Sequence, residues 1–370
     1  MIRLAGIIDI FGAELLQQYG GKLPVGQLHA LHAIKNCRSA MSPKMRAECG
    51  GCDERVFLPH SCGHRNCPHC QAHESQRWIE RQVQKLVPGD YFMITFTLPA
   101  ELRPLARANG RVMYDLIMQS AWDTVHTFSQ NDKKLQGNPG AVAVLHTHSR
   151  ALDFHPHAHL VIPAAAIDKK RKLWRTKKAK YLFNHKALAI VFRAKILAGI
   201  KQAGLNLPER YPEEWVVDVK NVGTGEKALV YLGRYLYRGV IREKDILACE
   251  NGQVTFRYQN SKTKKIERKT VGGVAFLRLI LQHVLPKGFR RARNFGFLHP
   301  NSKRLIHLVQ VLFKLAPKPI VVALCKRPAL RCPCCGGEMK IVRTRIKPVF
   351  ARHMEPAGFG RGAAGPEMVM

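Results

Sequence analysis

The amino-acid sequence predicts a mixed α+β fold: an antiparallel strand pair among helices, a small cysteine-rich module before it and a basic region after it. Three observations predict this. β-prone runs at Tyr91–Pro99, Ala141–His148 and His155–Ile162 alternate with helix-forming stretches near 102–129 and 184–203. The last two runs are joined only by the turn at Ser149–Phe154, so they read as an antiparallel pair. Cys49-Gly-Gly-Cys52 and Cys67-Pro-His-Cys70 form two C-x2-C knuckles fourteen residues apart, the spacing at which four thiolates meet one tetrahedral Zn2+.

The bulk properties bound the class. A chain of 370 residues with 46% hydrophobic content holds two or three folded domains. Four regions are expected: an amino-terminal helix and zinc-binding domain over 1–75, a central domain over 76–250, a basic part over 251–340 and a disordered tail over 341–370. No apolar run is long enough to span a bilayer, and Met1–Leu16 carries Asp9 and Glu14 without a cleavage site, unlike a secretion signal. The expected location is the cytoplasm. Sixty Lys and Arg against 26 Asp and Glu leave a formal charge of +34, which favours a polyanionic partner such as DNA.

Taken in order, residues 1–36 read as helical, with Leu28, Leu31 and Ile34 as a packing stripe. Cys49, Cys52, Cys67 and Cys70 are the expected structural zinc ligands. Cys37, His60, Cys62 and His64 remain as ligands of a second ion or as substitutes in the first. A closed zinc site leaves no open position for catalysis, so the module is expected to present Lys44, Arg46, Arg55, Arg65 and Arg77 to DNA.

The central segment carries the chemistry. In His155-Pro156-His157-Ala158-His159, residues two apart on a strand share a face, so His157 and His159 project side by side as a pair of divalent-metal ligands. On the neighbouring strand His146 is the expected third ligand, with His148 as its alternative. Lys169–Lys180 has eight basic residues in twelve, Lys169, Lys170, Arg171 and Lys172 among them, interleaved with Trp174. This suggests backbone tracking with base stacking. Glu226–Arg238 then reads as a helix in which Tyr231 and Tyr235, four apart, leave one face, flanked by Lys227, Arg234 and Arg238. Past it, Gln253–Tyr258 and Lys265–Val271 read as a basic hairpin, Val274–Val284 as a helix, and Arg290, Arg291 and Arg293 as a phosphate-binding patch. Cys332-Pro-Cys334-Cys335 is a knuckle with no second pair downstream; Cys325 or a histidine is its nearest candidate partner.

The TFTLP strand, the LHT…HPHAH segment and YLGRY together resemble the HUH-endonuclease class. More closely, the chain resembles the bacterial rolling-circle insertion-sequence transposases with an amino-terminal zinc-binding domain and two catalytic tyrosines. His60–Cys70 is similar to that family's zinc segment, and Phe276–Phe297 to its carboxy-terminal signature. The resemblance implies an HUH-type antiparallel sheet with flanking helices, metal ligation by His157 and His159, and Tyr231 and Tyr235 as nucleophiles. It also implies a catalytic Mg2+ or Mn2+ beside the structural Zn2+. Tyrosine attack joins the DNA 5′-phosphate to the enzyme and frees a 3′-hydroxyl, so single-stranded or hairpin ends of a mobile element are the expected substrate, and the bound protein is expected at the nucleoid. Lys227 or Arg234 is expected to lower the tyrosine pKa. The rival readings are a replication initiator or relaxase with the same chemistry, and a non-enzymatic zinc-dependent nucleic-acid-binding protein.

Overall fold

The computed structural model describes residues 1–168, 170–171, 173–178, 180–237, 239–260, 263–314 and 329–347. The chain divides into two compact units, each drawn from separated stretches: Met1–Lys35 with Gly63–Leu324, and Asn36–Cys62 with Cys325–Met370.

The larger unit opens with α1 (Leu4–Tyr19) and α2 (Val25–Lys35). A single helical stretch was the expectation; Gly20, Gly21 and Pro24 interrupt it, because glycine disfavours helix and proline lacks the N–H that would continue one. Strands β1 (Lys44–Cys49) and β2 (Arg55–Pro59) belong to the smaller unit. The larger unit resumes with α3 (Ala72–Val83), β3 (Tyr91–Thr97), α4 (Arg103–Ala108) and α5 (Gly110–Asn131). The hairpin of β4 (Asn138–His148) and β5 (Phe154–Pro163) follows, then β6 (Ala165–Asp168) and β7 (Leu173–Thr176). Next come α6 (His185–Gln202), capped by the Asn184 side chain, β8 (Val217–Asn221) and α7 (Glu226–Tyr237). A three-stranded meander of β9 (Ile246–Glu250), β10 (Gln253–Gln259) and β11 (Ile266–Gly272) leads into α8 (Gly273–Leu281), which packs on α1. β12 (Ala292–Gly296), α9 (Lys303–Leu312) and, in the smaller unit, β13 (Met339–Ile346) complete the described elements. The tail expected to be disordered over 341–370 is overturned at its start, because residues 341–346 belong to β13 and pair with β1; residues 348–370 lie outside the described residues. None of the described helices is long and apolar enough to cross a membrane.

The central sheet is antiparallel throughout, in the order β7-β6-β4-β5-β3-β8, with β12 also pairing β4. Period-two alternation divides its faces. Phe92, Ile94, Phe96, Ala158, Leu160, Ala143 and Leu145 face α4, α5 and α6 in the main core. Tyr91, Val142, Val144 and Val161 face the opposite way, toward α3, α7 and α9. Two glycines let α7 approach that second face. Gly225 has φ +81°, and a Cβ there would lie 2.6 Å from the Tyr91 ring. Gly233, inside α7, meets α3 so closely that a Cβ would lie 2.2 Å from Ile79 Cγ1.

The smaller unit is a three-stranded antiparallel sheet, β13-β1-β2. Among the described residues its buried apolar side chains are Ala47, Cys332 and Met339.

Candidate active site and metal centre

The three histidines come together on the α7 face of the sheet. Register pairs His146 directly with His157 and Val144 with His159, while Thr95 on β3 lies opposite His159. His146, His157 and His159 each offer a ring nitrogen, and the three nitrogens lie within 4.8 Å of one another. His155 stands outside the group, its ring centroid 5.0 Å from that of His157.

Their surroundings suit metal ligation. His157 Nδ1 donates to the His155 carbonyl at 2.6 Å, which leaves Nε2 with a free lone pair. His159 Nδ1 bonds Thr95 Oγ1 at 2.9 Å. Such outer contacts fix the tautomer and aim of a ligand. His146 Nε2 is buried with no hydrogen-bond partner, an arrangement costly enough to call for an acceptor of its lone pair. Burial keeps all three imidazoles neutral: His159 is lowered to about 4, and His146 and His157 lie well below the usual range. A neutral ring is the form that binds a metal. The donor set therefore fits a divalent ion.

The tyrosine helix lies against this cluster. The Tyr235 ring stacks on His146, centroids 3.7 Å apart at 19°, and lies 5.0 Å from His148. Its hydroxyl is 3.1 Å from His148 Nε2. The hydroxyl also lies 3.0 Å from His148 Nδ1 and 3.3 Å from the His148 carbonyl. Because Nδ1 donates to the Ser149 carbonyl at 3.0 Å, Nε2 and the His148 carbonyl are the acceptors within reach of the phenol. His148 thus contacts the tyrosine, whereas His146 groups with His157 and His159. Tyr231 is 44% exposed, and its ring lies 6.2 Å from that of Tyr235.

Burial raises the Tyr235 pKa, and Arg291 and then Arg150 oppose that rise. Lys227 and Arg234, expected in that role, are exposed on α7. Sequence reasoning placed Arg291 on the surface. Its guanidinium instead turns inward, donating to the Leu145 carbonyl at 2.9 Å and the Leu236 carbonyl at 3.3 Å, 5.7 Å from the Tyr235 ring centre. An arginine pattern alone cannot separate such a brace from a phosphate contact. Arg293 is likewise engaged, with Asp115 and over the Phe289 ring, whereas Arg290 is exposed.

The other predicted contacts divide. Lys170 and Arg171 are exposed, their backbone N–H groups donating to Asp168 Oδ1. Lys169, Lys172 and Arg238 lie outside the described residues. Trp174, expected to stack on a base, sits half-buried on β7 with its ring edge-to-face 5.3 Å from Phe297. An open cleft of about 2280 Å3, lined in part by Arg103, Arg107, Phe154, Tyr237, Arg290 and Arg291, adjoins the ends of β5 and α7.

The cysteines partition differently from the expectation. Cys49 and Cys52 meet Cys332 and Cys335 in the smaller unit, instead of Cys67 and Cys70. The knuckle that seemed to lack a partner thus finds one through the pairing of β1 with β13. The Gly51 N–H helps lower the Cys49 thiol to about 7. Cys67 and Cys70 are buried in the larger unit, where His64 Nδ1 accepts from the Asn66 N–H at 3.2 Å. Cys37 and Cys62 belong to the smaller unit.

Two family profiles match the chain: one described as "Transposase zinc-binding domain" over residues 7–98, and one described as "Putative transposase" over 140–305. "Putative transposase y4qJ" of Sinorhizobium fredii is 30% identical over 318 residues, covering 77% of this chain and 79% of the relative. "Transposase for insertion sequence element IS801" of Pseudomonas savastanoi pv. phaseolicola is 26% identical over 357 residues, covering 88% and 85%. Among solved structures, the conjugative relaxase TrwC in complex with oriT DNA, metal-free, aligns at TM-score 0.28 and 13% identity over 60% of this chain and 73% of that one. TrwC with a 27-mer DNA aligns at 0.26 and 15% over 35% and 49%; superpositions this loose carry no argument. On the profile matches and the extent of the 30% relative, the chain belongs to the family of bacterial rolling-circle insertion-sequence transposases with an amino-terminal zinc-binding domain.

Proposed function

We propose that the larger unit nicks and rejoins a single DNA strand through a tyrosine ester, with Tyr235 as the first nucleophile and Tyr231 as the second. The observation that carries this reading is the Tyr235 phenol stacked on the three-histidine cluster, 3.7 Å from His146. A free phenol, with a pKa of about 10, is a weak nucleophile at neutral pH. The hydroxyl lies within hydrogen-bond reach of His148, which aims the phenol, and Arg291 favours the phenolate that forms on attack. His146, His157 and His159 would hold a divalent ion, which would supply Lewis-acid neutralisation of charge on the scissile phosphate. Because all three ligands are imidazoles, a transition ion such as Mn2+ is favoured over Mg2+, which prefers oxygen ligands.

The Tyr235 oxygen forms the new bond to phosphorus as the P–O3′ bond breaks, and the deoxyribose 3′ oxygen leaves as a hydroxyl that carries the proton given up by the phenol. The resulting 5′-phosphotyrosine retains the energy of the diester, so rejoining needs no nucleotide cofactor. The exposed Tyr231 serves a second strand while Tyr235 holds the first. The substrate is single-stranded or hairpin DNA at the element's ends, in the bacterial cytoplasm. Arg103, Arg107 and Arg290 in the adjoining cleft supply positive charge for its backbone.

The test is incubation of the full chain with a labelled single-stranded oligonucleotide and Mn2+, followed by a denaturing gel. A retarded covalent band is expected, lost when both Tyr231 and Tyr235 are Phe. Normal nicking by that double variant eliminates the tyrosine mechanism. A relaxase-type or initiator function would appear as cleavage of plasmid-origin sequences with no strand transfer between element ends.

A further inference from the structure

The smaller unit is too slight to hold together by apolar burial. Among the described residues only Ala47, Cys332 and Met339 are buried apolar side chains there, with Cys49, Cys52, Val56 and Leu330 partly buried against them. A core of that size ordinarily needs a metal or a covalent link. Strand β13 is exposed at Lys340–Arg345, yet it pairs along β1 through Cys49–Met339, Glu48–Lys340 and Ala47–Ile341.

The thiols at the end of that strand pair have the geometry of an ion site. Cys49 Sγ lies 3.4 Å from Cys335 Sγ, and Cys52 Sγ lies 3.6 Å from both Cys332 Sγ and Cys335 Sγ. All four sulfurs fall within 4.8 Å of one another. A tetrahedron with Zn–S bonds of about 2.3 Å has S···S edges of about 3.8 Å, whereas a disulfide requires about 2.05 Å. Each pair rides on its own tight turn. The Cys49 N–H donates to the Glu54 carbonyl at 3.1 Å, and the Cys332 N–H to the Gly337 carbonyl at 2.8 Å. Gly51 donates its N–H to Cys49 Sγ at 3.3 Å. At Gly337 a Cβ would press on Cys335 Sγ at 3.2 Å, so glycine there leaves the sulfurs room.

We propose that Cys49, Cys52, Cys332 and Cys335 together bind one structural Zn2+ that clasps β13 to β1. Two ligands thus come from far outside the zinc-binding region matched at 7–98. Four thiolates close the coordination sphere, so the ion stabilises and does not catalyse; soft sulfur ligands select zinc over Mg2+ or Mn2+. The site stands independently of the nicking chemistry proposed above.

The experiment measures zinc per chain in the full-length protein. Cys332→Ser with Cys335→Ser is expected to remove one ion. Cys49→Ser with Cys52→Ser removes the same one, and the fourfold variant loses no more than either pair. Unchanged zinc in the Cys332/Cys335 variant, or losses that add to two ions, overturn the proposal. The unmodified chain gives a second reading that no folding defect can confuse: thiol alkylation followed by mass spectrometry, without reductant, before and after chelation. The four thiols should be protected together and become reactive together when zinc is withdrawn, while the exposed Cys334 reacts throughout. Reactivity of the four before chelation overturns the site. So does protection that survives chelation and yields only to reductant, because that would mean disulfides.

Discussion

Gly233, the centre of YLGRY, is where the placement of the tyrosines can be tested most sharply. A Cβ at this position would lie 2.2 Å from Ile79 Cγ1 and 2.9 Å from Trp78 Cε3, against a normal carbon contact of about 3.5–4.0 Å. Ile79 and Trp78 are 2% and 6% exposed, so neither has solvent to retreat into. Gly233→Ala therefore forces the contacting surfaces of α7 and α3 apart by about 1.3–1.8 Å. Two effects oppose each other in stability: alanine gains roughly 1 kcal/mol of helix propensity, and overpacking costs about 1–3 kcal/mol. The net change in unfolding free energy is a loss of about 2 kcal/mol or less. The rate suffers more, because a misplacement of about 1 Å costs on the order of 100-fold, and Tyr235 rides on the same helix. Single-turnover nicking of an oligonucleotide, beside a urea unfolding curve, separates the two. The variant should unfold cooperatively yet form adduct roughly 10- to 100-fold more slowly. Ile79→Ala, which opens the space the new methyl needs, should restore much of the rate in the double variant although it costs stability alone. Wild-type nicking by Gly233→Ala, or a double variant no faster than the single, would refute the claim that this contact positions the tyrosines.

Other perturbations address the rest of the site. Thr95→Val removes the oxygen that holds His159 Nδ1, so affinity for Mn2+ should fall about 10- to 100-fold in a metal titration of adduct formation, with the fold intact; unchanged affinity would mean Thr95 does not orient the ring. Arg291→Gln leaves the Leu145 and Leu236 carbonyls underbonded and should cost roughly 1–3 kcal/mol in a denaturant midpoint; a surface arginine would cost almost nothing. The buried histidines set the acid limit. His148 and His159 are lowered to about 4, and His146, His157 and His283 are also lowered, whereas an unfolded histidine titrates near pH ~6.5. Below that pH the unfolded chain binds more protons, so stability is full above about 6.5 and falls as pH drops toward about 4, each group adding up to about 1.4 kcal/mol per pH unit. Tryptophan fluorescence reads this out, and a denaturant midpoint that stays flat from pH 7 to 5 would contradict it.

Much of the larger unit was legible because local and tertiary demands agree there. The apolar runs at Tyr91–Thr97 and His157–Ile162 have no competing periodicity, and the turn at Ser149–Phe154 is too short for anything but a hairpin. The histidine cluster followed from strand alternation, and His146 from the register such a hairpin imposes. The partition of the cysteines was not legible. Two knuckles fourteen residues apart satisfy a zinc-ribbon spacing as well as two knuckles 280 residues apart satisfy the same tetrahedron, and only the β1–β13 pairing decides. Arg291 failed for a related reason: its partners are backbone carbonyls at Leu145 and Leu236, which leave no mark in composition. The Trp174 reading rested on the charge around it, whereas Phe297, far along the chain, determines where its ring goes. The break between α1 and α2 was visible in Gly20, Gly21 and Pro24 and was outweighed by the apolar stripe beyond it.

The pairing of β1 with β13 also imposes an order on synthesis. At about 5–20 residues per second, a ribosome that has released Cys52 needs on the order of 15–60 s to deliver Cys332, 280 residues later. Throughout that interval the first knuckle waits in the nascent chain with half its ligands unmade. A copy of the element damaged shortly after the codon for Leu324 would still encode every stretch of the larger unit, yet it could never close the smaller one.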